Sequence, residues 1–291
     1  MPASKGLGDG MAVEQNDLLR YANMQKSVYN PVGKDNPEEI VGWYGYHENV
    51  PYETNLLYRY GDIRRPIFPD FQKLRAFDIG CGEGRMIRRM QRIFGQVDGA
   101  DISEAMVEHA RARSPNSEIY VSSGLDAGQA PSDTYDFAYC TISLQHVCVH
   151  ATRDAILDDI VRILKPDGKM TLQMLFSKYY PFHHPRRIRQ LGRWGLQLFN
   201  KDSNNGTWFQ NKTDAQGTNG RCDVVIGTNE LTAVRADLLK KFGVVEFWFY
   251  DISIDRAGAR SLPENHLNSH IDDQYWGTHF VFIHCAEPRK G

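Results

Sequence analysis

Apolar and polar positions change period several times along the chain. Leu74–Ile79 is a short apolar run that reads as a strand. It is followed by Met86, Ile87, Met90, Ile93 and Phe94 at helical spacing. Gln96–Ala100 predicts a second strand, and a helix then runs to Arg111 with Ser103 as its N-cap. Glu118–Ser122 and Tyr135–Cys140 predict the third and fourth strands. Ile156, Leu157, Ile160, Val161, Ile163 and Leu164 mark an amphipathic helix over Ala151–Leu164. The Lys165-Pro166-Asp167-Gly168 turn ends it, and a fifth strand follows at Lys169–Phe176. Short strands alternating with helices over residues 74–176 imply a parallel sheet covered on both faces. With right-handed crossovers this is a doubly wound α/β fold.

The flanks read differently. Residues 1–10 are small and polar, and Leu18, Leu19, Tyr21, Ala22, Met24 and Val28 predict a helix over Glu14–Tyr29. Residues 30–60 are rich in aromatics, Gly and Pro without a clean period, so residues 1–70 are expected to form an N-terminal cover on a domain spanning 71–291. Residues 177–229, rich in Asn, Gly, Arg, His and aromatics, are too long for a plain connection and are expected to be a cap insertion. The core pattern resumes with a helix over Glu230–Phe242 and strands over Val244–Ile252 and Gly277–Cys285. No helical pattern separates these last two strands, so they should pair antiparallel.

Composition narrows the class. The 291 residues are 41% hydrophobic, 24% charged and 11% aromatic, which suits a globular chain with a sizeable core. A net charge of -2 argues against nucleic acid as a partner. No apolar run approaches the ~20 residues of a membrane span, and the N-terminus carries no signal-like apolar stretch. The five widely spaced cysteines, with no C-x-x-C, argue against a disulfide scaffold or a zinc finger and fit a cytoplasmic location. The sequence is compatible with a homo-oligomer but does not set the oligomeric state.

Candidate chemistry gathers where strands end, since open α/β sheets bind ligands at their carboxyl edge. Gly80-Cys81-Gly82-Glu83-Gly84 follows the first strand, where glycines permit a tight turn and close ligand approach. Asp101 ends the second strand, 19 residues after Gly82, where an acid can accept hydrogen bonds from ribose hydroxyls. Gly124-Leu125-Asp126 follows the third strand, and Leu125 offers an apolar side to a base. Thr141 to Val147 follow the fourth, with His146 facing the cleft. A histidine, unperturbed near ~6.5, suits general-base work at neutral pH. His146 and His150 lie four apart around Cys148, but at a loop-to-helix junction without an acidic third ligand, so no metal is expected. Cys81 reads as packing. His183, His184 and Arg186, directly after the fifth strand, and Trp43 and Tyr46 of the aromatic cover are candidate substrate contacts.

As a set, "FDIGCGEGR", "VDGADISEAMVEHA", "SGLD…SDTYDFAYCTISLQHV" and "ILKPDGKM" resemble the motifs of the class I S-adenosylmethionine-dependent methyltransferases, over about residues 74–176. The resemblance implies a seven-stranded sheet of order 3-2-1-4-5-7-6 with the last strand antiparallel. It implies S-adenosyl-L-methionine as cofactor, its methionine part on Gly80 and Gly82 and its ribose on Asp101. Ile102 would pack on adenine, Gly124 and Leu125 would contact the adenine edge, and Thr141 would lie under the sulfonium. Many relatives carry Asp where Gly124 stands, and Asp126 comes two residues later. Some small-molecule members use a histidine after the fourth strand as base, and His146 matches that place. The expected function is therefore methyl transfer to a small-molecule acceptor, most naturally a hydroxyl oxygen. The alternatives are a non-catalytic cofactor-binding module and a nicotinamide-dependent oxidoreductase. Arg85 stands where the G-x-G-x-x-G of the latter needs its last glycine.

Overall fold

A computed structural model describes residues 15–35, 52–59, 65–177, 206–210, 224–250, 262–263 and 279–290. Seven principal strands lie in one sheet. They are β1 (Arg75–Ile79), β2 (Gln96–Asp101), β3 (Ile119–Val121), β4 (Tyr135–Cys140), β5 (Leu164–Ser177), β6 (Phe242–Tyr250) and β7 (His279–Pro288). Their order is β3-β2-β1-β4-β5-β7-β6. Strands β1 to β5 pair in parallel, and β7 runs antiparallel to both β5 and β6. The order 3-2-1-4-5-7-6 and the single reversed strand are thus those expected.

Side chains alternate between two buried layers, as a pleated strand requires. Phe77 of β1, Ala138 and Cys140 of β4, and Val281, Ile283 and Cys285 of β7 pack with helices α5 (His150–Ile163) and α6 (Leu231–Leu238). Ala76, Phe137, Tyr139, Phe280 and Phe282 face the other way, against α2 (Tyr52–Leu57), α3 (Arg85–Met90) and α4 (Glu104–Arg113). Burial on both faces explains why β4 reads as an apolar run without alternation. The remaining helix, α1 (Gln15–Asp35), lies across the carboxyl edge and not on a face.

Three details depart from the sequence reading. The Lys165–Gly168 turn does not separate helix from strand: β5 begins at Leu164, and the turn is looped out of it. Tyr135 pairs with Leu164 and Phe137 with Lys169, so the four residues 165–168 of β5 oppose the single Asp136 of β4. Pro166, which cannot donate to a ladder, is accommodated in that bulge. The second departure lies inside the expected cap. Val225–Gly227 extends the main sheet, pairing in parallel with Leu175–Ser177 on the side that β4 has vacated. Trp208 is 1% exposed in the core, its indole N–H donating to Asp237. These parts of the insertion are built into the domain. The third concerns sulfur. Cys81, Cys140 and Cys285 are free and buried, whereas Cys148 is disulfide-bonded.

One buried carboxylate ties four strands together. Asp98 of β2 is fully buried. One oxygen accepts from Arg75 Nη2 (2.8 Å) and the Tyr135 hydroxyl (3.1 Å), the other from Gln96 Nε2 (2.6 Å) and the Glu118 amide (2.9 Å). Removing the acceptor leaves several donors unmatched, one of them charged. Asp98→Ala should therefore destabilise the fold by about 3 kcal/mol in denaturant unfolding. A loss under about 1 kcal/mol would show that the network is replaceable by water.

Candidate active site

The turns after β1, β2, β3 and β4 and one face of α1 enclose a cavity of about 210 Å³. Its floor is the loop after β1. Gly80 has φ +71°, and a Cβ there would lie 2.4 Å from Cβ of Ser143. Only glycine lets the β1 and β4 turns touch at this point, where the Ser143 hydroxyl donates to the Gly80 carbonyl (2.8 Å). The next two glycines bring the chain into α3.

Asp101 stands at the end of β2, its carboxylate aimed by two backbone amides. Gly82 N–H donates to one oxygen (2.8 Å) and Ser103 N–H to the other (2.9 Å). Ser103 also caps α4, accepting from Met106 N–H (3.3 Å). Burial nevertheless pushes the Asp101 carboxyl upward. Asp78, 2% exposed, also lines the cavity, and the sequence reading passed over it. Burial raises its carboxyl to about 8, with the neighbouring Asp101 charge adding to the rise. Arg85 and the Tyr139 hydroxyl oppose it. Two buried acids facing one cavity form a place for a cation or for donor hydroxyls.

The loop after β3 shows why Gly124 departs from the common acid. Its φ is +91°, and a Cβ would meet Ile102 Cδ1 at 2.7 Å and Ala22 Cβ at 2.8 Å. With α1 docked there, a side chain has no room. Ile102 and Gly124 line the cavity; Leu125 does not, and Asp126 lines it instead. The Asp126 carboxylate closes its own loop, accepting from the Ser123 amide (3.0 Å) and hydroxyl (2.6 Å) and the Gly128 amide (2.8 Å). The hydroxyl and amide bonds hold its carboxyl below the ordinary range despite burial.

After β4 the backbone is strained. Ile142 has φ +71° and ψ -44°, with Ser143 N–H bonded to Thr141 O (2.8 Å). This is a γ-turn of the rarer hand, and a β-branched residue adopts it at a cost. It is held because the buried Gln173 side-chain carbonyl accepts Ile142 N–H (2.7 Å) and because Ser143 is anchored to Gly80. The turn presents Thr141 and a 3₁₀ segment, Ser143–His146, to the cavity, and His146 lines it. Strain maintained by surrounding structure concentrates at functional sites.

The fourth wall is α1, whose place the sequence did not reveal. Tyr21, Ala22, Gln25 and Tyr29 share one helical face and line the cavity. The Tyr21 hydroxyl accepts from the Cys148 amide (2.8 Å), Asn30 Oδ1 accepts from the Ala105 amide (3.2 Å), and Lys26 pairs with Glu104 (2.7 Å).

Among the expected residues, Gly80, Gly82, Asp101, Ile102, Gly124, Thr141 and His146 therefore share one cavity. Trp43, Tyr46, His183, His184 and Arg186 lie outside the described residues. Burial leaves the Cys81 thiol neutral, as packing requires. His150 does meet acids, Asp154 and Asp237, contrary to the expectation that no third ligand is near. Both carboxylates are already paired, Asp237 with Lys240 (2.9 Å) and Asp154 with Lys241 (3.0 Å).

Asp78 makes the site visible to pH. Between the ordinary carboxylate range near ~4 and about 8, the folded chain holds a proton that the unfolded chain has lost. Stability from this group therefore falls as pH rises through that window and levels off above it. Asp78→Asn should remove the decline, so its stability relative to the parent should rise from pH 5 to pH 8 in denaturant unfolding. Parallel curves for the two proteins would contradict the assignment.

Comparison with known proteins agrees with this geometry. A methyltransferase-domain model matches residues 77–172. A ubiquinone biosynthesis O-methyltransferase of Chelativorans sp. is 26% identical over 163 residues, covering 54% of this chain and 61% of that protein. A trans-aconitate 2-methyltransferase of Methylobacterium radiotolerans is 32% identical over 126 residues, 42% and 46% of the two chains. The chain thus spans less than two thirds of the length of these relatives. A SAM-dependent methyltransferase from Thermotoga maritima shares the fold across 90% of this chain and 99% of its own, with a TM-score of 0.50 at 15% identity. No described helix is long and apolar enough to cross a membrane. The glycine loop, the acid that ends β2, the sheet order and the matched domain together support a class I S-adenosylmethionine-dependent methyltransferase.

Proposed function

We propose that the cavity binds S-adenosyl-L-methionine and that the protein transfers its methyl group to a hydroxyl oxygen of a small-molecule acceptor. The observation that carries this reading is the convergence of four strand-end turns on one cavity, lined by the two buried acids Asp78 and Asp101 and by His146. The residues fit the cofactor. Gly82 leaves open space where a Cβ would stand, so a ligand can lie against the backbone. Asp101, already oriented by two amides, keeps lone pairs for ribose hydroxyls. The Asp78 carboxyl, held largely protonated by burial, would ionise against a cationic ligand. Ile102 and Gly124 would flank the base.

The bound cofactor would supply a methyl group already activated on a sulfonium. The chain's task is then to hold the acceptor in line, to exclude water and to take one proton. His146 is the base: it accepts the hydroxyl proton as the oxygen attacks. Thr141 and the strained turn fix the height of this segment. Residues 1–70 and the 177–229 insertion complete the acceptor pocket, Trp43, Tyr46, His183, His184 and Arg186 being candidate contacts. The relatives' names, an O-methyltransferase of ubiquinone biosynthesis and a trans-aconitate methyltransferase, support an oxygen acceptor.

Titration calorimetry with S-adenosylhomocysteine should give one saturable site. Asp101→Ala should weaken it at least tenfold by removing charge-assisted hydrogen bonds. Absence of binding at millimolar ligand would refute the cofactor assignment. With an acceptor found by screening catechols and hydroxy acids, His146→Ala should lower kcat by about 10²–10⁴-fold. It should leave S-adenosylhomocysteine affinity unchanged. An unchanged kcat would remove His146 from the reaction.

A further inference from the structure

The hydroxyl of Tyr21 has an unusual set of partners. It lies on the cavity-facing stripe of α1, with the residue 3% exposed. Its partners are donors: the Cys148 backbone N–H (2.8 Å) and Gln25 Nε2 (3.0 Å), with the Val149 amide acting beside them. A phenol oxygen that accepts twice still carries its own proton, and an O–H proton is a donor. Among the described residues no acceptor takes it, and Tyr21 lines the cavity together with Val147 and His146.

The charges behind it point the same way. Arg153 is 1% exposed, and its guanidinium reaches only carbonyls, Val147 O and Trp208 O, and the Trp208 ring at 5.2 Å. The Asp237 and Glu230 carboxylates act on it through space without a hydrogen bond, the Tyr21 hydroxyl lies within reach of its charge, and its Nε has no partner. The cavity is thus polarised. Asp78 and Asp101 lie at the end nearest β1 and β2, while Tyr21 and His146 lie at the β4 end, where the methyl acceptor is placed by the reading above, with the cation of Arg153 buried behind Val147.

We propose that Tyr21 donates its hydroxyl proton to a negatively charged oxygen of the methyl acceptor. The site would then select acceptors that carry such an oxygen beside the hydroxyl to be methylated. The inference rests on the methyltransferase reading. Tyr21 touches the acceptor; Arg153 is a positioning residue whose field favours the anion. Hydroxy acids and ionised catechols have this chemistry. A neutral alcohol offers the donor a weaker acceptor and gains nothing from the field of the cation.

The test uses the full chain saturated with S-adenosylhomocysteine and two aromatic probes, salicylate and its neutral isostere salicylamide, titrated calorimetrically. The parent protein should bind salicylate at least tenfold more tightly than salicylamide. Tyr21→Phe should lower salicylate affinity by about tenfold or more, to the level of salicylamide, and leave S-adenosylhomocysteine affinity unchanged. Equal affinity of the parent for the two probes, or no binding of salicylate, overturns the proposal. So does a Tyr21→Phe protein that keeps full salicylate affinity, or one that loses the cofactor product while keeping salicylate. The parent's ratio needs no variant and stands even if Tyr21→Phe fails to fold. Failure of the parent to bind S-adenosylhomocysteine would instead count against the cofactor reading.

Discussion

The site depends on one close contact, that between the turns after β1 and β4. These strands are neighbours at the centre of the sheet, and β2 and β5 continue it in opposite directions from them. A crevice therefore opens above their carboxyl ends, as at any topological switch point. Its depth is set by the approach of Gly80 to Ser143, which admits no side chain at residue 80. The Ser143 hydroxyl bond to Gly80 O holds one turn, and the Gln173 bond to Ile142 N–H holds the strained turn beside it. Gly80 N–H and Cys81 N–H both donate to Ala100 O, which carries the same register to β2 and places Asp101. Three strand ends are fixed by a handful of short polar contacts around a single glycine.

Charge inside the cavity is arranged with equal economy. Burial raises the Asp101 carboxyl, and the two amides that aim it offset part of that rise. No backbone amide of a described residue donates to the Asp78 carboxyl, which is lifted to about 8, so near neutral pH it is mostly a neutral acid. Arg153 shows the converse. Burial lowers it to about 10, yet it remains a cation at neutral pH, held by carbonyl dipoles and an aromatic face. An ionisable acid at the β1 end of the cavity, with a retained cation buried behind Val147 at the β4 end, suits a ligand that is positive where it meets β1 and negative where it meets β4.

The parts of this architecture that were legible in the sequence are local. The glycine loop, Asp101 and the Ser103 cap lie within a few residues of the strands they terminate, so strand-and-turn patterning located them. The sheet order followed from a set of motifs and could not come from periodicity alone. What the sequence did not reveal depends on distant pairing. Tyr21 meets Cys148 across 127 positions, and nothing in the spacing of α1 indicates that partner. The absence of a side chain at Gly124 looked like a departure from a pattern. It is a steric consequence of Ala22, on a helix that sequence could place but not dock. Lys165–Gly168 has the composition of a turn and does bend, but the β4 ladder on both sides absorbs it as a bulge. Trp208, inside a stretch that reads as a polar insertion, is buried because Asp237 accepts its indole N–H and Arg153 covers its ring.

Helix α1 connects these observations to binding. Its buried stripe is short, namely Tyr21, Ala22 and Gln25, and its further ties among the described residues include Tyr29 O and Asn30 Oδ1, both accepting from the Ser103 hydroxyl, and the half-exposed Lys26–Glu104 pair. Polar and partly exposed contacts of this kind contribute little individually. The same stripe forms one wall of the cavity, so anything bound there touches α1 and the strand-end turns together. Ligand and helix must then stabilise each other: the free energy that holds α1 in place enters the measured affinity, and occupancy of the cavity reinforces the docked helix. A site walled by the sheet alone would lack this coupling. Residues of α1 can therefore alter affinity through docking as well as through contact, and the two effects separate only where a substitution such as Tyr21→Phe keeps the ring that docks the helix and removes the oxygen that faces the ligand.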